Sequence, residues 1–148
     1  MTPIHEPLSE EAAARLVQVA ALSKTPFVIR GGGTRSLHPA PEGGEVLSTR
    51  GLNGIVAYNP AEMTMTARAG TPLELVEAAL AEKRQMLAFE PNDLRGVLGT
   101  SGLPTIGGVF ATNASGPRRF TAGAARDSLL GVRFVNGRGE VVKAGGRV

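Results

Sequence analysis

Two stretches of the chain carry residues whose types and spacing suit chemistry. The first is Arg30-Gly31-Gly32-Gly33-Thr34-Arg35-Ser36, directly after the apolar run Pro26-Phe27-Val28-Ile29. Glycine gives up the most backbone entropy on folding, so three in succession are expected where another molecule comes close to the main chain. Consecutive N–H groups that turn at the end of a strand line a concavity that attracts an anion, and phosphate fits that description. A plain surface turn would tolerate the same residues. The loop lacks the Gly-Lys-Ser/Thr ending of a P-loop, and no G-x-G-x-x-G follows the first strand, so a nucleotide bound here is held by another arrangement.

The second stretch runs from Thr105-Ile-Gly107-Gly108-Val-Phe-Ala-Thr112-Asn113-Ala-Ser-Gly116 through Pro117-Arg-Arg to Gly123-Ala-Ala-Arg126-Asp127. It gathers hydroxyls, an amide, bare backbone and a buried-looking Arg-Asp pair. Each piece has an ordinary explanation. Gly107-Gly108 permits close packing, and Arg126-Asp127 read as a surface pair contributes under about 1 kcal/mol. Together, in a stretch from Glu90 to Asp127 where apolar periodicity fails, they mark a functional segment.

The elements that must hold these stretches are legible on either side. Ser9 to Leu22 has a Ser cap, acids in its first turn and apolar residues at helical spacing (Ala13, Leu16, Val17, Ala20). Phe27-Val28-Ile29 and Glu45 to Thr49 read as strands. Ile55 to Tyr58, a turn at Asn59-Pro60 and Met63 to Ala69 read as a hairpin, and Gly70-Thr71-Pro72 offers a cap and a first-turn proline to a helix over Leu73 to Lys83. Leu129 to Val135 and Glu140 to Lys143 form a second hairpin about a glycine-bearing turn. The expected fold is α+β: two small α/β lobes, residues 1–53 and 54–148, joined near Gly51 to Gly54, without internal repeat.

Composition narrows the function classes. With 42% hydrophobic and 20% charged residues the chain is an ordinary globular one, and 20 glycines are about twice the usual share, so many positions need close approach or positive φ. No cysteine and only two histidines, His5 and His38, leave no metal cluster and no disulfide. The net charge of +3 comes from scattered basic residues with one tyrosine and five phenylalanines, which argues against nucleic acid as the partner. No signal segment or membrane span is expected, and the chain reads as cytoplasmic.

The motifs Arg30 to Ser36, Gly70-Thr-Pro-Leu73, Glu90-Pro91, Thr105 to Gly116, and Gly123 to Gly131 with Val135-Asn-Gly-Arg-Gly-Glu140, in this order and spacing, resemble the FAD-binding (PCMH-type) domain of the vanillyl-alcohol oxidase family. The likeness runs from about residue 10 to the end, and is strongest to the branch of glycolate oxidase subunits and D-lactate dehydrogenases. It implies two FAD-binding lobes, the second incomplete. It also implies that Gly31, Gly32, Gly33, Thr34, Arg35 and Ser36 cradle the flavin pyrophosphate. Pro91, Thr105, Gly107, Gly108, Thr112, Asn113 and Gly116 would line the ribityl chain and isoalloxazine, and Gly123, Arg126 and Asp127 a further element near the flavin. Thr34 stands where members with covalently attached flavin have histidine, which implies noncovalent FAD. The implied activity is oxidation of a 2-hydroxy acid to the 2-oxo acid, with partner subunits of an oxidase complex that could bring the chain to the inner membrane. The alternative is a non-catalytic assembly module of such a complex. Family members continue into a cap domain with the catalytic residues, so no catalytic residue is named here, and neither histidine matches one.

Overall fold

The computed structural model describes residues 2–35 and 41–146. Its N-terminal part is a three-stranded parallel sheet in the order β1 (Ile4–His5), β3 (Glu45–Ser48), β2 (Phe27–Arg30). The register sets Val28 and Ile4 on either side of Val46, and Ile29 and His5 on either side of Leu47. Strand β1 is too short to announce itself in the sequence. It is fixed from outside, by an edge contact of His5 on Phe27 and a 2.6 Å link from His5 Nε2 to Glu45 Oε2.

Parallel strands need a crossover, and helix α1 (Glu10–Ser23) supplies it between β1 and β2, the two strands that flank β3. Ser9 caps it by accepting from Ala12 N at 3.2 Å, with Glu10 and Glu11 in the first turn, and Lys24 in the left-handed region (φ 55°) ends it. Its buried residues are Ala13, Ala14 and Ala20, small enough for close packing, whereas the expected Leu16 and Val17 are only half-buried.

The remainder holds two antiparallel hairpins that do not pair with each other: β4 (Ile55–Asn59) with β5 (Thr64–Ala67), and β6 (Gly131–Val135) with β7 (Val141–Gly145). Asn59 Oδ1 closes the first turn by accepting from Ala61 N and Glu62 N, and Asn136 Oδ1 closes the second from Arg138 N and Glu140 N. The second turn lies on α1, where Gln18 Nε2 donates to Gly139 O at 3.2 Å and Arg133 pairs with Glu10. Gly139 has φ 74° and no room for a side chain against Ala14 and Gln18. Among the described residues no helix is long and apolar enough to cross a membrane.

The main core lies between α2 (Leu73–Glu82) and α4 (Ile106–Ala111). Leu73, Val76 and Leu80 meet Phe89, Ile106, Val109, Ala114 and Ala125, and Phe89 sets its edge on Phe110 at 5.9 Å. Pro72 precedes α2 as its cap residue instead of occupying the first turn, with no side-chain cap. The expected cap Thr71 is fully buried and does something else: its Oγ1 accepts from Gly54 N at 2.9 Å and lies 2.7 Å from Arg68 O, joining the start of β4 to the turn before α2. A buried amide left without an acceptor costs about 1–3 kcal/mol. Urea denaturation is therefore expected to show Thr71→Val destabilised by about that amount, and Thr71→Ser by clearly less.

Candidate cofactor site

Strand β2 keeps its ladder to the last residue, for Thr49 N donates to Arg30 O at 2.9 Å. The glycine loop starts there. Among the described residues, none of the main-chain N–H groups of Gly31, Gly32, Gly33, Thr34 and Arg35 donates to a protein acceptor. Gly31 to Gly33 are half-buried, Thr34 is buried, and Gly33 has φ 70°. Five successive donors, partly shielded from water and unspent, with a left-handed residue among them, have the make-up of an anion cradle.

The bare backbone has a different cause from the one the sequence suggests. A methyl on Gly32 would overlap the Leu103 carbonyl, one on Gly102 would overlap the Gly32 carbonyl, and one on Gly31 would lie 2.5 Å from Thr105 Oγ1. The molecule that comes close to this loop is the chain itself. Residues 102–105 cross it with one edge, and with the other this strap joins the 69–73 turn, through Leu73 N to Pro104 O (2.8 Å), Ile106 N to Thr71 O (3.0 Å) and Gly107 N to Ala69 O (2.8 Å).

Thr105 then caps α4, its Oγ1 accepting from Gly108 N at 3.3 Å. Gly107 is glycine for packing, since a methyl there would stand 2.7 Å from Ala69 Cβ. Thr112 spends its hydroxyl on Gly108 O at 2.7 Å. Asn113 takes the left-handed conformation (φ 49°) and its Oδ1 accepts from Arg126 N at 2.9 Å. Gly116 lies against the Glu90 carbonyl, and Gly123 (φ 81°) against the Asp127 carboxylate, which accepts from Ala124 N at 2.8 Å. Ser115, which the sequence did not single out, accepts from Ala125 N at 2.9 Å. Thus Asn113 and Ser115 fasten the 3-10 turn Ala125–Ser128 to the segment after α4, and Asp127 caps that turn from within. The Arg126-Asp127 pair is not buried as its sequence context suggested: Nε and Oδ1 stand 3.7 Å apart with both side chains exposed, and what Asp127 holds is backbone.

Arg35 turns to the far side of the loop. Its Nη1 donates to Asn92 Oδ1 at 3.1 Å and its Nη2 to Asn92 O. Burial lowers the Arg35 pKa from the usual guanidinium value, opposed by the nearby Asp93 charge. Asp93 is held well below the ordinary carboxylate range, lowered to about 2, first by hydrogen bonds from the Arg95 guanidinium and then by Arg95 N. Pro91 lines a groove of about 480 Å³ with Glu74, Glu77 and Asp93, and Thr105 a second of about 510 Å³ with Arg50 and Asn53; Leu103 lines both. Ser36 and His38 lie outside the described residues. Of the expected site residues, Gly31, Gly32 and Thr105 are brought together directly. Asn92, Thr100 and Gly102, which touch the loop, were not foreseen, and Gly102 alone left a trace in its residue type.

With this geometry in hand, comparison with known proteins becomes informative. Residues 3–145 match the FAD binding domain family. The chain belongs to that family. It is 40% identical over 138 residues to glycolate oxidase subunit GlcE of Escherichia coli K12, covering 93% of this chain and 38% of that one. It is 38% identical over 104 residues to the D-2-hydroxyglutarate dehydrogenase of Xanthomonas citri, covering 70% of this chain and 21% of that one. The chain thus spans well under half the length of these curated relatives. Among solved structures, alkyldihydroxyacetonephosphate synthase superposes with a TM-score of 0.73 at 25% identity, over 97% of this chain and 26% of the synthase. Phl p 4.0202, a glucose dehydrogenase, shares the fold at 19% identity, with a TM-score of 0.75 over 95% of this chain and 28% of its own. The α+β fold and the cofactor class expected from the motifs, FAD, are those of the family.

Two measurements test the local physics. Gly32→Ala is expected to lose about 1–3 kcal/mol in urea denaturation, the range for forcing an atom into filled space. Gly96→Ala, in the short helix α3 (Arg95–Leu98) with open space beside it, should be neutral or gain up to about 1 kcal/mol. A depressed carboxylate pKa adds stability that is present above the unfolded value of ~3.9 and disappears as pH falls through the folded value. Carbon-detected NMR titration of Asp93 should therefore give a midpoint near about 2, moving up toward the unfolded value in Arg95→Gln.

Proposed function

We propose that the chain is the FAD-holding portion of a flavin-dependent oxidoreductase that oxidises a 2-hydroxy acid, of glycolate or D-lactate type, to the 2-oxo acid. The observation that carries this reading is the run of unspent N–H groups from Gly31 to Arg35 at the carboxyl end of β2, in a chain of the FAD binding domain family. The donor set fits a diphosphate: several neutral amides converge without a lysine, so negative charge is met by dipoles, as at other phosphate-binding nests. FAD bound there would supply two-electron redox chemistry, accepting the electrons that leave the substrate's α-carbon.

What the chain's own residues contribute is grip and orientation. In this reading Gly31 to Gly33 and Thr34 hold the pyrophosphate by N–H donation, with Ser36 continuing the loop. Thr105 to Gly116 forms one wall of the flavin pocket, where α4 sets Thr112 and Asn113 at its open end. Gly123, Arg126 and Asp127 stabilise the turn behind that wall. Residues 1–53 act as the pyrophosphate lobe and 54–148 as the flavin-wall lobe. The cofactor is held noncovalently, since Thr34 has no ring nitrogen to bond the flavin and the chain has no cysteine. The names of the relatives support a 2-hydroxy-acid substrate and a place among the subunits of an oxidase complex, in the cytoplasm or against the inner membrane through those partners.

The test is the colour and its release. Purified protein, or protein incubated with FAD and desalted, is expected to show the flavin absorption bands, and acid precipitation should leave all the flavin in the supernatant. Assembled with its partner subunits, it should bleach under anaerobic glycolate or D-lactate. Protein that stays colourless after FAD would favour an assembly module without flavin. Flavin pelleting with the protein would contradict noncovalent attachment.

A further inference from the structure

We propose that residues 92–103 form a clasp that sets the glycine loop with its N–H groups turned outward, and that the Arg35 side chain is a positioning group on this clasp, not a phosphate contact. The inference rests on the reading of the loop as the pyrophosphate cradle and names the part of the chain that gives the cradle its shape.

Three attachments fall on successive parts of the loop. At its centre Gly32 and Gly102 touch backbone to backbone, an approach that any side chain at either position would block. One step on, Thr100 Oγ1 donates to Thr34 O at 3.1 Å. At the end, the Arg35 guanidinium donates to both Asn92 Oδ1 and Asn92 O. The clasp is itself tied at the middle, where Asp93 holds Arg95 at 2.7 Å and Arg95 Nη1 reaches Gly102 O at 3.4 Å.

The consequence for the donors follows from peptide planarity. In a trans peptide the C=O of one residue and the N–H of the next point in opposite directions in one rigid plane. Drawing Thr34 O onto Thr100 therefore turns the Arg35 N–H away from the clasp. The Arg35 guanidinium, donating twice to Asn92, has its planar fork occupied. A guanidinium so engaged still adds positive field near the cradle, but offers it fewer hydrogen bonds.

The decisive experiment has two readouts on the 148-residue chain: amide NMR shifts of Gly31 to Arg35 without FAD, and FAD affinity from flavin fluorescence at low and high salt. Thr100→Val and Asn92→Ala are each expected to move the loop amides and to weaken FAD about five- to tenfold, the scale of one net hydrogen bond. Thr100→Ser, which keeps the hydroxyl, should restore both. Arg35→Met alone should weaken FAD by no more than about the same factor as Asn92→Ala, with only the small salt-dependent share that its field contributes, and the double variant should lose less than the two single losses added. Unmoved amides in Thr100→Val and Asn92→Ala would overturn the clasp. A large, salt-dependent loss in Arg35→Met with none in Asn92→Ala would overturn the assignment of Arg35 and return it to the phosphate. Amides that move while FAD affinity stays the same would leave the clasp standing as a structural device and sink the reading of this loop as the cradle.

Discussion

The arrangement depends on one contact, the approach of Gly102 and Leu103 to Gly32. It is made of main chain on both sides, so it has no side-chain chemistry to tune and tolerates no added atom. Through it the parallel sheet of the N-terminal part is joined to the strap that also borders the 69–73 turn, and from there to the cap of α4. The loop after β2, the turn before α2 and the N-terminus of α4 are consequently stacked side by side. Each gives some of its backbone polar groups to a neighbour, and the glycine loop keeps a continuous row of donors that meet no acceptor among the described residues.

This division of labour explains why the glycines are so dense. At Gly31, Gly32, Gly102 and Gly107 the absence of a side chain serves packing between segments distant in sequence, whereas at Gly33 and Gly123 it serves a left-handed turn. The same logic runs through the second cluster, where Asn113 and Ser115 use their oxygens on backbone N–H groups to hold the 3-10 turn and Asp127 caps that turn from within. Polar residues that look chemical in the sequence are spent on architecture.

How far the sequence could be read follows from the range of the forces involved. Helix α1, strands β2 and β3 and both hairpins follow from local periodicity, caps and turn residues, and their limits fall within a few residues of expectation. The glycine loop and the Thr105 to Gly116 stretch stood out by composition. Hidden were the pairings made across large separations: His5 with Glu45, Thr34 with Thr100, Arg35 with Asn92. None leaves a periodic trace, because each needs the fold to bring its partners together. Thr71 shows the limit from the other side, since Gly-Thr-Pro before a helix reads as a cap while burial turned its hydroxyl to Gly54 and Arg68 instead. Arg126-Asp127 misled in the opposite direction, apolar neighbours suggesting an interior pair where the charges face water.

The two hairpins that do not pair with each other bear on how such a polypeptide behaves in a tube. Val56 is 61% exposed and Phe134 45%, on two-stranded ribbons with outer edges that meet no other strand among the described residues. Natural sheets shield such borders with charge, bulges or a covering element, and ribbons of two strands are marginal by themselves. Here a bulge at Val56 interrupts β4, and α1 lies against the second hairpin, while Val56 and Phe134 themselves stay exposed. Exposed apolar side chains on ribbons of this kind offer the polypeptide a route to self-association that grows with its concentration.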